Sequence, residues 1–365
     1  MMRGLYIHIP FCNTICSYCD FPKQIASQKK KEEYINFLID ELSSKRHLLN
    51  NITSVYIGGG TPNCISDNLL EKLFISISDI LENSIENSIE INSELLTDNQ
   101  AKLFKKYNIN RLSIGVQTII DNQINAIKRN HNKEMVINAI NILHNNHIQN
   151  INLDMMYGIP FQTIKSLNED LDFVLSLPIK HISYYSLIKE ERTILDYQLK
   201  HNQVSLPDDD LVADMYEIVT QRLKMNNFNH YEVSNYALDG FESKHNLLYW
   251  NLDEYIGVGA SAASYYNHQR LKNANLNKYY YLNRLEEKFS LTLFEEKQEY
   301  MMLGLRKING ININEYYSRF KSYPYDDFDI DKLINLGLID IINNQMKIKE
   351  DKILLSNIVY EEFVG

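Results

Sequence analysis

Short apolar runs alternate with amphipathic segments along the first half of the chain. The apolar runs are rich in Ile, Leu, Val and Tyr, and they predict strands at 4–9, 53–57, 87–92, 111–116, 150–157 and 181–187. Between them, apolar residues recur with the 3.6-residue period of a helix. This period predicts helices at 31–49, 67–82, 98–107, 121–129, 133–146 and 164–176. Six strand–helix repeats favour right-handed βαβ units and a parallel sheet, so we expect a partial (βα)6, TIM-like barrel.

The strand–helix alternation stops after residue 205. A helix is predicted at 209–226, and the last part of the chain indicates short helices and a β-ribbon. We therefore expect an α/β core over residues 1–225, a connector over 226–290 and a small, mostly helical domain over 291–365. Because ligands of parallel α/β folds bind at the carboxyl ends of the strands, we expect the functional site there.

Charge and composition narrow the range of functions. The chain has 365 residues, with 37 Lys and Arg against 47 Asp and Glu, and a formal net charge of −10. Nucleic-acid binders normally carry a basic surface, so we expect no nucleic-acid partner.

The 44% of apolar residues can form a core, but no apolar run reaches the roughly 18 residues that span a bilayer. The first residues lack the features of a secretory signal, which makes the cytoplasm the expected compartment.

Three of the four cysteines lie close together in the sequence. Cys12, Cys16 and Cys19 form the pattern C-x-x-x-C-x-x-C, while Cys64 stands apart. A disulfide scaffold would spread its cysteines along the chain, so this group indicates a metal site. A single zinc ion would need a fourth ligand, for which the candidates are His8, Asp20 and Cys64. A 4Fe–4S cluster normally takes four thiolates, so three would leave one iron open to another ligand.

The stretch LYIHIPFCNTICSYCDF (5–21) resembles the cluster loop of radical S-adenosylmethionine (SAM) proteins. It is similar to the branch that contains oxygen-independent coproporphyrinogen III oxidase and the HemW-type heme chaperones. The resemblance implies that the three clustered cysteines hold a 4Fe–4S cluster whose open iron binds SAM. It also implies that Tyr6 and Tyr18 pack near the cluster and the adenine. We expect Cys64 to be a small buried hydrophobe outside the cluster.

Further strand ends match the SAM-binding positions of this family. GGGTP (58–62) follows the second predicted strand, and the resemblance implies that Gly59, Gly60 and Thr61 contact the SAM amino group. It assigns four more SAM contacts to Glu90, Gln117, Arg129 and Asp154, and a weaker one near the adenine to Ser186. A carboxylate suits ribose hydroxyls, and a guanidinium suits the methionine carboxylate. The family continues its Glu strand as E-x-N-P-x-x-L, whereas INSELL follows here, so we expect a different turn after Asn92.

The segment 230–264 favours one branch of the family. It contains HNLLYW (245–250), which resembles the H-N-x-x-Y-W motif of HemW-type proteins, a proposed heme contact. The resemblance implies that His245 binds heme iron and that Trp250 stacks on the porphyrin; the alternative is that both only pack against the C-terminal domain. Many relatives have a His where this chain has Ala263.

Two features distinguish this chain from the oxidase. Phe21 stands where the oxidase has a further Cys, and Cys12 lies close to the start of the sequence.

Together these features predict a HemW-type chaperone that binds a 4Fe–4S cluster, SAM and heme. Its expected partners are heme, heme-acceptor proteins of respiration and an electron donor, with membrane contact only through acceptors. The C-terminal residues resemble the winged-helix-like module of the same branch. The rival prediction is a radical SAM enzyme such as coproporphyrinogen III oxidase, and the sequence leaves turnover of SAM open. A paralogue that has lost heme handling is a third reading, because of Ala263.

Overall fold

The computed structural model describes residues 2–279 and 285–364. Its strands are β1 Arg3–Ile9, β2 Ser54–Gly59, β3 Glu86–Asn92, β4 Arg111–Gln117, β5 Asn150–Tyr157, β6 His181–Ser186, β7 Asn229–Glu232, β8 Asn235–Ala237, β9 Glu254–Val258, β10 Ala263–Tyr266, β11 Gln269–Asn273, β12 Leu285–Ser290, β13 Ile311–Asn312, β14 Ile339–Ile342 and β15 Gln345–Ile348. Its helices are α1 Gln28–Ser44, α2 Asp67–Ser76, α3 Ser78–Asn83, α4 Asp98–Lys106, α5 Asp121–Ala126, α6 Lys133–Asn145, α7 Ile164–Leu175, α8 Ile194–Lys200, α9 Asp209–Met225, α10 Lys244–Trp250, α11 Leu276–Tyr279, α12 Leu293–Gly304, α13 Ile313–Phe320, α14 Pro324–Asp327, α15 Ile330–Asn335 and α16 Ser356–Val364.

The first six strands form the parallel sheet that the sequence predicts. Neighbouring pairs from β1–β2 to β5–β6 are all parallel and follow chain order. Each strand is followed by at least one helix that packs on the sheet, and Ile, Leu and Val side chains of the strands are buried on both faces. The α/β barrel-like fold is thus confirmed, and the carboxyl ends of six strands meet at one edge.

Two predicted helices differ from the observed ones. The helix expected over 67–82 is interrupted at Ile77, which leaves helical geometry and has a fully buried side chain. No Gly or Pro marks this break, so packing of Ile77 decides it. The helix expected over 31–49 ends earlier, at Ser44, and a short 3₁₀ turn follows.

The predicted connector contributes strands to the same sheet. Strand β8 pairs antiparallel with β6 at one edge, and β9 pairs parallel with β1 at the other. The sheet continues outward from β9 through β10 and β11 to β12. These short strands were not expected from the sequence, because their apolar residues are interspersed with polar ones. The limits of the three predicted domains stay predictions.

The C-terminal part is small and mostly helical, as expected. It combines α12 to α16 with a separate sheet in the order β13–β15–β14. Helix α12 packs on α10, which places this part beside the first strand of the barrel. In the described parts of the chain no helix is both long and apolar enough to cross a membrane.

Candidate functional site

The cysteine loop connects β1 to α1 at the carboxyl edge of the sheet. Its two ends are joined because the Cys12 amide donates to the Gln24 carbonyl (3.1 Å) and the Gln24 amide donates to the Pro10 carbonyl (2.8 Å). The middle of the loop is fixed to helix α5, where Ser17 donates from its backbone to Ile127 and from its side chain to Ala126 (both 3.0 Å). All four cysteines are free thiols. The loop is therefore held in shape by the protein itself.

Burial disfavours the thiolate form of two cysteines in this loop. Burial raises the pKa of the Cys12 thiol to about 11 against the opposing hydrogen bond from Thr61, and burial also raises the pKa of Cys19. A thiolate is needed to bind metal, so binding iron would release these protons. Among residues 2–279 and 285–364, no three His, Cys, Asp or Glu side chains converge on one point as ligands of a single ion.

Cys64 lies beside the loop but does not line its cavity. Its thiol donates to the Phe11 carbonyl (3.3 Å), and its own carbonyl accepts from Lys31 (2.9 Å). The side chain is partly buried and packs against the core. The expectation of a small packing residue fits this position.

A cavity of about 150 Å³ opens beside the cysteine loop, and we call it the cluster cavity. The predicted cluster ligands and most of the predicted SAM contacts line it: Cys12, Cys16, Tyr18, Cys19, Gly59, Gly60, Thr61, Glu90, Gln117, Arg129 and Asp154. Gly60 has to be glycine, because a Cβ would lie 2.6 Å from the Phe11 carbonyl oxygen. The expectation that ligands bind at the carboxyl ends of the strands therefore identified residues that the fold brings together in one cavity.

Two half-buried carboxylates line the cluster cavity. Glu90 accepts hydrogen bonds from the Gly59 amide (2.9 Å) and the Tyr56 hydroxyl (2.8 Å). Asp154 accepts from Ser113 (2.9 Å) and Asn152 (2.7 Å). Burial raises the pKa of Glu90 to about 7 and also raises the pKa of Asp154. These carboxylates are preorganised acceptors for hydroxyl or amino groups of a ligand.

The opposite wall carries Gln117 and Arg129. Gln117 adopts a left-handed backbone conformation (φ 69°) where β4 and β5 lose register, which is unusual for a residue that is not glycine. Its Oε1 atom and the Nε atom of Arg129 are buried and find no hydrogen-bond partner among the described residues. Unsatisfied buried polar atoms are costly, so these two atoms indicate a polar ligand such as SAM.

The turn after β3 differs from the family pattern yet keeps its role. Asn92 accepts a hydrogen bond from Arg129 (3.0 Å), and its backbone pairs with the Asn63 side chain at 3.0 and 3.1 Å. A 3₁₀ turn, Ser93–Leu95, then leads into α4. Asn63 and Asn92 were not selected by sequence reasoning, and only the departure at INSELL drew attention to this turn.

A second cavity of about 520 Å³ adjoins the first, and we call it the barrel-mouth cavity. Both cavities share Tyr18, Cys19, Phe21, Glu90, Asp154 and Tyr185. Ser186, the weaker candidate from the sequence, lines the barrel-mouth cavity only. Tyr185 was missed, although it directly precedes Ser186 at the end of β6.

A third cavity of about 410 Å³ lies on the far side of the cysteine loop, and we call it the aromatic cavity. It is lined by Tyr6, His8, Phe21, Pro22, Tyr249, Trp250, Leu252, Asp253, Tyr255, Ser261, Ala263, Arg270 and Leu303. Its size falls in the usual range of small-molecule sites, roughly 300–1,000 Å³. Tyr249 and Trp250 come from the HNLLYW motif, and Ala263 lies on the same wall. Phe21 lines all three cavities and is 63% exposed.

Neither Tyr6, expected near the cluster and the adenine, nor His245, expected to contact heme iron, lines the cluster cavity. Tyr6 lines the aromatic cavity, since its side chain projects from the face of β1 that Tyr249 and Trp250 cover. His245 is only 1% exposed, and both ring nitrogens are occupied, Nδ1 by Ser54 (2.7 Å) and Nε2 by the Tyr249 hydroxyl (2.9 Å). Burial lowers the pKa of His245 to about 3. In this arrangement His245 has no free nitrogen for heme iron and instead positions Tyr249.

Residues 6–174 match the model of the radical SAM superfamily. A heme chaperone HemW from Lactococcus lactis subsp. lactis (strain IL1403) is 35% identical over 371 residues, which cover 99% of this chain and 97% of that relative. The heme chaperone HemW of Bacillus subtilis (strain 168) is 34% identical, and both chains are covered completely. The chain belongs to the HemW family. The matches to these two relatives span 99% and 100% of this chain.

A solved structure supports the fold of this HemW family member. Coproporphyrinogen III oxidase (HemN) from Escherichia coli, described as a radical SAM enzyme, superposes with a TM-score of 0.85. The match covers 99% of this chain and 90% of that chain at 20% identity. At this identity the likeness establishes the shared fold and nothing about the reaction.

The residues present fit the groups that the radical SAM superfamily implies. A 4Fe–4S cluster supplies a single electron and an open coordination position to bound SAM. Cys12, Cys16 and Cys19 would hold it. The unpaired atoms of Gln117 and Arg129 and the acceptors of Glu90 and Asp154 would orient SAM beside it. These residues of the chain would hold the cluster and orient SAM.

Proposed function

We propose that this protein is a heme chaperone that binds a 4Fe–4S cluster, SAM and heme, and that it delivers heme to acceptor proteins of respiration. The observation that carries the proposal is the aromatic cavity. There Tyr249 and Trp250 of the HNLLYW motif lie next to Phe21 and Pro22 of the cysteine loop. A planar apolar ligand with charged edges suits such a site, because aromatic rings cover its faces.

Charged residues at the edge of the aromatic cavity support heme as the ligand. Arg270 lies 4.6 Å from the centre of the Tyr265 ring, and its NH1 atom donates to the Tyr255 hydroxyl (2.9 Å). Two of its nitrogens already bind Glu299. The guanidinium keeps further N–H groups, so it can bind a carboxylate such as a porphyrin propionate. Arg306 packs over the Trp250 ring at 4.5 Å, which fixes that ring in place.

We infer three further features of this function. The core over residues 1–225 holds the cluster and SAM, residues 226–290 carry the heme motif, and residues 291–365 close the aromatic cavity through α12. The free cysteines suit the reducing cytoplasm, and an electron donor there would reduce the cluster. Contact with a membrane then occurs through the acceptor proteins.

Hemin titration tests the proposal. We expect the wild-type protein to bind about one hemin per chain with a shift of the Soret band, and Trp250→Leu to weaken binding roughly tenfold through loss of stacking. Tyr317→Ala is the matched control, because it removes an exposed ring of α13 that does not line the cavity. Absence of hemin binding by the wild-type protein would overturn the proposal. Equal weakening of hemin binding by both variants would show that hemin does not bind in the aromatic cavity.

A radical SAM enzyme remains a second candidate because of one observation. The cluster cavity continues into the barrel-mouth cavity, which leaves about 520 Å³ for a substrate next to SAM. Reductive cleavage of SAM there would yield methionine and a 5′-deoxyadenosyl radical that abstracts hydrogen. The formation of 5′-deoxyadenosine by the reduced protein, with and without candidate substrates, tests this second function.

A further inference from the structure

Gln117 lies at the centre of a three-residue turn at the end of β4. The Thr118 amide donates to the Val116 carbonyl (2.9 Å), and Gln117 between them has a φ of 69°. A three-residue turn with a positive φ at its centre is rare and strained. The turn nevertheless carries a side chain of the cluster cavity, whose Oε1 atom is buried and has no hydrogen-bond partner among the described residues. A strained turn persists only where contacts from outside the turn hold it in place.

Asp170 of helix α7 supplies such contacts. Its Oδ1 atom accepts a hydrogen bond from the Ile119 amide (2.7 Å) and lies 3.1 Å from the Thr118 hydroxyl. The side chain is fully buried and lines none of the cluster, barrel-mouth and aromatic cavities. Burial raises the pKa of Asp170 to about 7 against the opposing hydrogen bond from Ile119. Both protonation states keep an oxygen that can accept from the Ile119 amide.

Thr118 extends this support to helix α5. Its hydroxyl accepts from the Ile120 amide (3.1 Å) and lies 2.9 Å from Gln123 Oε1, so its single hydrogen can go to Gln123 or to Asp170. Gln123 Nε2 in turn donates to the Ser166 hydroxyl of α7 (2.8 Å). The start of α5 is therefore tied to α7 by the same set of hydrogen bonds that holds the turn.

The other end of α5 is joined to the cluster cavity. It accepts two hydrogen bonds from Ser17 of the cysteine loop (both 3.0 Å). Arg129, which lines the cluster cavity, follows α5, and its amide donates to the Ile124 carbonyl (3.0 Å). Helix α5 has only six residues, so a displacement of its start would also displace its end. Asp170 thus supports the segment that carries both Gln117 and Arg129.

We propose that Asp170 is a positioning residue for SAM, because it holds the turn after Gln117 and the start of α5 and thereby places Gln117 and Arg129 in the cluster cavity. This inference rests on the proposed binding of SAM. Asp170 lines none of the three cavities, so its effect on a ligand passes through these two residues. Their Oε1 and Nε atoms are buried without a partner among the described residues, and a shift of the turn would move them away from the ligand. Loss of Asp170 therefore lowers the affinity for SAM, while the three clustered cysteines still hold the cluster.

SAM binding by anaerobically reconstituted variants tests this assignment. Asp170→Ala removes the acceptor, whereas Asp170→Asn keeps an amide oxygen in its place. Asp172→Ala is the matched control, because Asp172 lies on the same helix, has a 70% exposed side chain and pairs with Arg222. We expect Asp170→Ala to weaken SAM binding at least about tenfold, and Asp170→Asn to stay within about threefold of the wild-type protein. Asp172→Ala should bind SAM as the wild-type protein does.

Two kinds of measurement separate positioning from a purely structural role. Equilibrium dialysis with labelled SAM measures the affinity, and iron content with circular dichroism measures the fraction of chains that is folded and loaded. A variant that loses only stability would unfold at a lower temperature and keep the SAM affinity of the wild-type protein. That result for Asp170→Ala, or equal weakening by Asp170→Ala and Asp170→Asn, would overturn the assignment.

Thr118→Val keeps the test decisive if Asp170→Ala does not fold. It keeps the shape of the side chain and removes the hydroxyl beside Asp170 and Gln123, so we expect SAM binding to weaken roughly fivefold. Unchanged SAM affinity in Thr118→Val would overturn the link between Asp170 and the turn. Absence of SAM binding by the wild-type protein would overturn the proposed SAM function itself, whereas wild-type binding with unchanged variants would overturn only the role of Asp170.

Discussion

Individual side chains of the cluster cavity show how far a protein prepares a site before its ligand arrives. Burial raises the pKa of the Cys12 thiol to about 11 and that of the Glu90 carboxyl to about 7. Each would change its protonation when a cationic group binds nearby. The buried Nε of Arg129 likewise lacks a partner until a ligand supplies one. These residues lower the stability of the free protein and favour the protein with its ligands bound.

Replacing one cluster cysteine should abolish the cluster. Cys12→Ser removes one of three thiolates, and we expect anaerobic reconstitution to give far less than the about four irons per chain of the wild-type protein. Cys64→Ser is the matched control, since Cys64 lies beside the loop but outside the cluster cavity. Iron analysis and the visible absorbance of the cluster measure the result. Equal iron content in wild type and Cys12→Ser would contradict the ligand assignment.

Replacing Glu90 should stabilise the free protein at alkaline pH. Its pKa is raised from 4.5 to about 7, so its contribution to stability is present below pH 4.5 and is lost as the pH rises through 7. Glu90→Gln removes this penalty, and we expect its gain in unfolding free energy to be roughly 1–3 kcal/mol larger at about pH 8 than at about pH 5. Urea denaturation at both values measures it.

Glu71→Gln provides the control for that measurement. Glu71 is exposed, and its hydrogen bond from Lys106 lowers its pKa. The pKa shift of Glu71 is therefore opposite in direction to that of Glu90, and Glu71→Gln should show no gain in unfolding free energy at alkaline pH. A gain for Glu90→Gln that does not grow with pH would show that the Glu90 carboxylate is not penalised by burial. We also expect Glu90→Gln to bind SAM more weakly.

Helix α10 links the barrel to the aromatic cavity. It carries the HNLLYW motif, and its first turn is held by the Glu86 carboxylate of β3, which accepts from the Lys244 amide (3.0 Å) and the His245 amide (3.1 Å). Ser243 caps the same helix by accepting from Asn246 (3.3 Å). Buried donors at a helix start need such partners. The position of Tyr249 and Trp250 thus depends on a strand of the barrel.

Removing the carboxylate that holds α10 should affect hemin binding from a distance. Glu86→Ala leaves two buried amides unpaired, and we expect a loss of roughly 1–3 kcal/mol in unfolding free energy together with weaker hemin binding. Thr97→Ala, which removes the N-cap of α4 far from the aromatic cavity, should cost about 1 kcal/mol and leave hemin affinity unchanged. Denaturation and hemin titration of both variants measure this difference. Equal hemin affinity in Glu86→Ala and wild type would contradict the link.

Across the molecule, the cysteine loop separates two cavities of different character. Among the described residues that line the barrel-mouth cavity there is no Lys, Arg or His, whereas Asp20, Glu90, Asp154 and Glu190 are present. The aromatic cavity is lined by one arginine, Arg270, and one acidic residue, Asp253. A ligand with several carboxylates is therefore disfavoured more strongly in the barrel-mouth cavity than in the aromatic cavity. The two cavities suit different ligands.

This charge distribution predicts no turnover of coproporphyrinogen III. Its propionates would meet the carboxylates of the barrel-mouth cavity, so we expect no decarboxylated product from the reconstituted protein with SAM and a reductant. Product analysis by liquid chromatography measures this, with a coproporphyrinogen III oxidase as positive control. Formation of protoporphyrinogen would replace the chaperone function with the enzymatic one.

Sequence reasoning located most of the fold and of the candidate site, and its failures have physical reasons. The six barrel strands were predicted within one or two residues because buried parallel strands are short apolar runs. The short strands of 229–290 were missed because they are half polar and owe their pairing to the sheet edge. Tyr185 and Asn92 were missed because their roles depend on where a strand twists or a turn closes.

The order of residues by itself determined the cysteine spacing, the series of strand ends and the HNLLYW motif, because these are patterns of residues close together in the sequence. Only the tertiary structure decided which side of the cysteine loop each residue faces. Tyr6 and Tyr18 are both aromatic residues near the cysteines, yet they line different cavities. His245 has the chemistry of a heme ligand, but packing against Ser54 and Tyr249 occupies both of its nitrogens. Side-chain direction and burial depend on neighbours distant in sequence, and only folding brings these neighbours together.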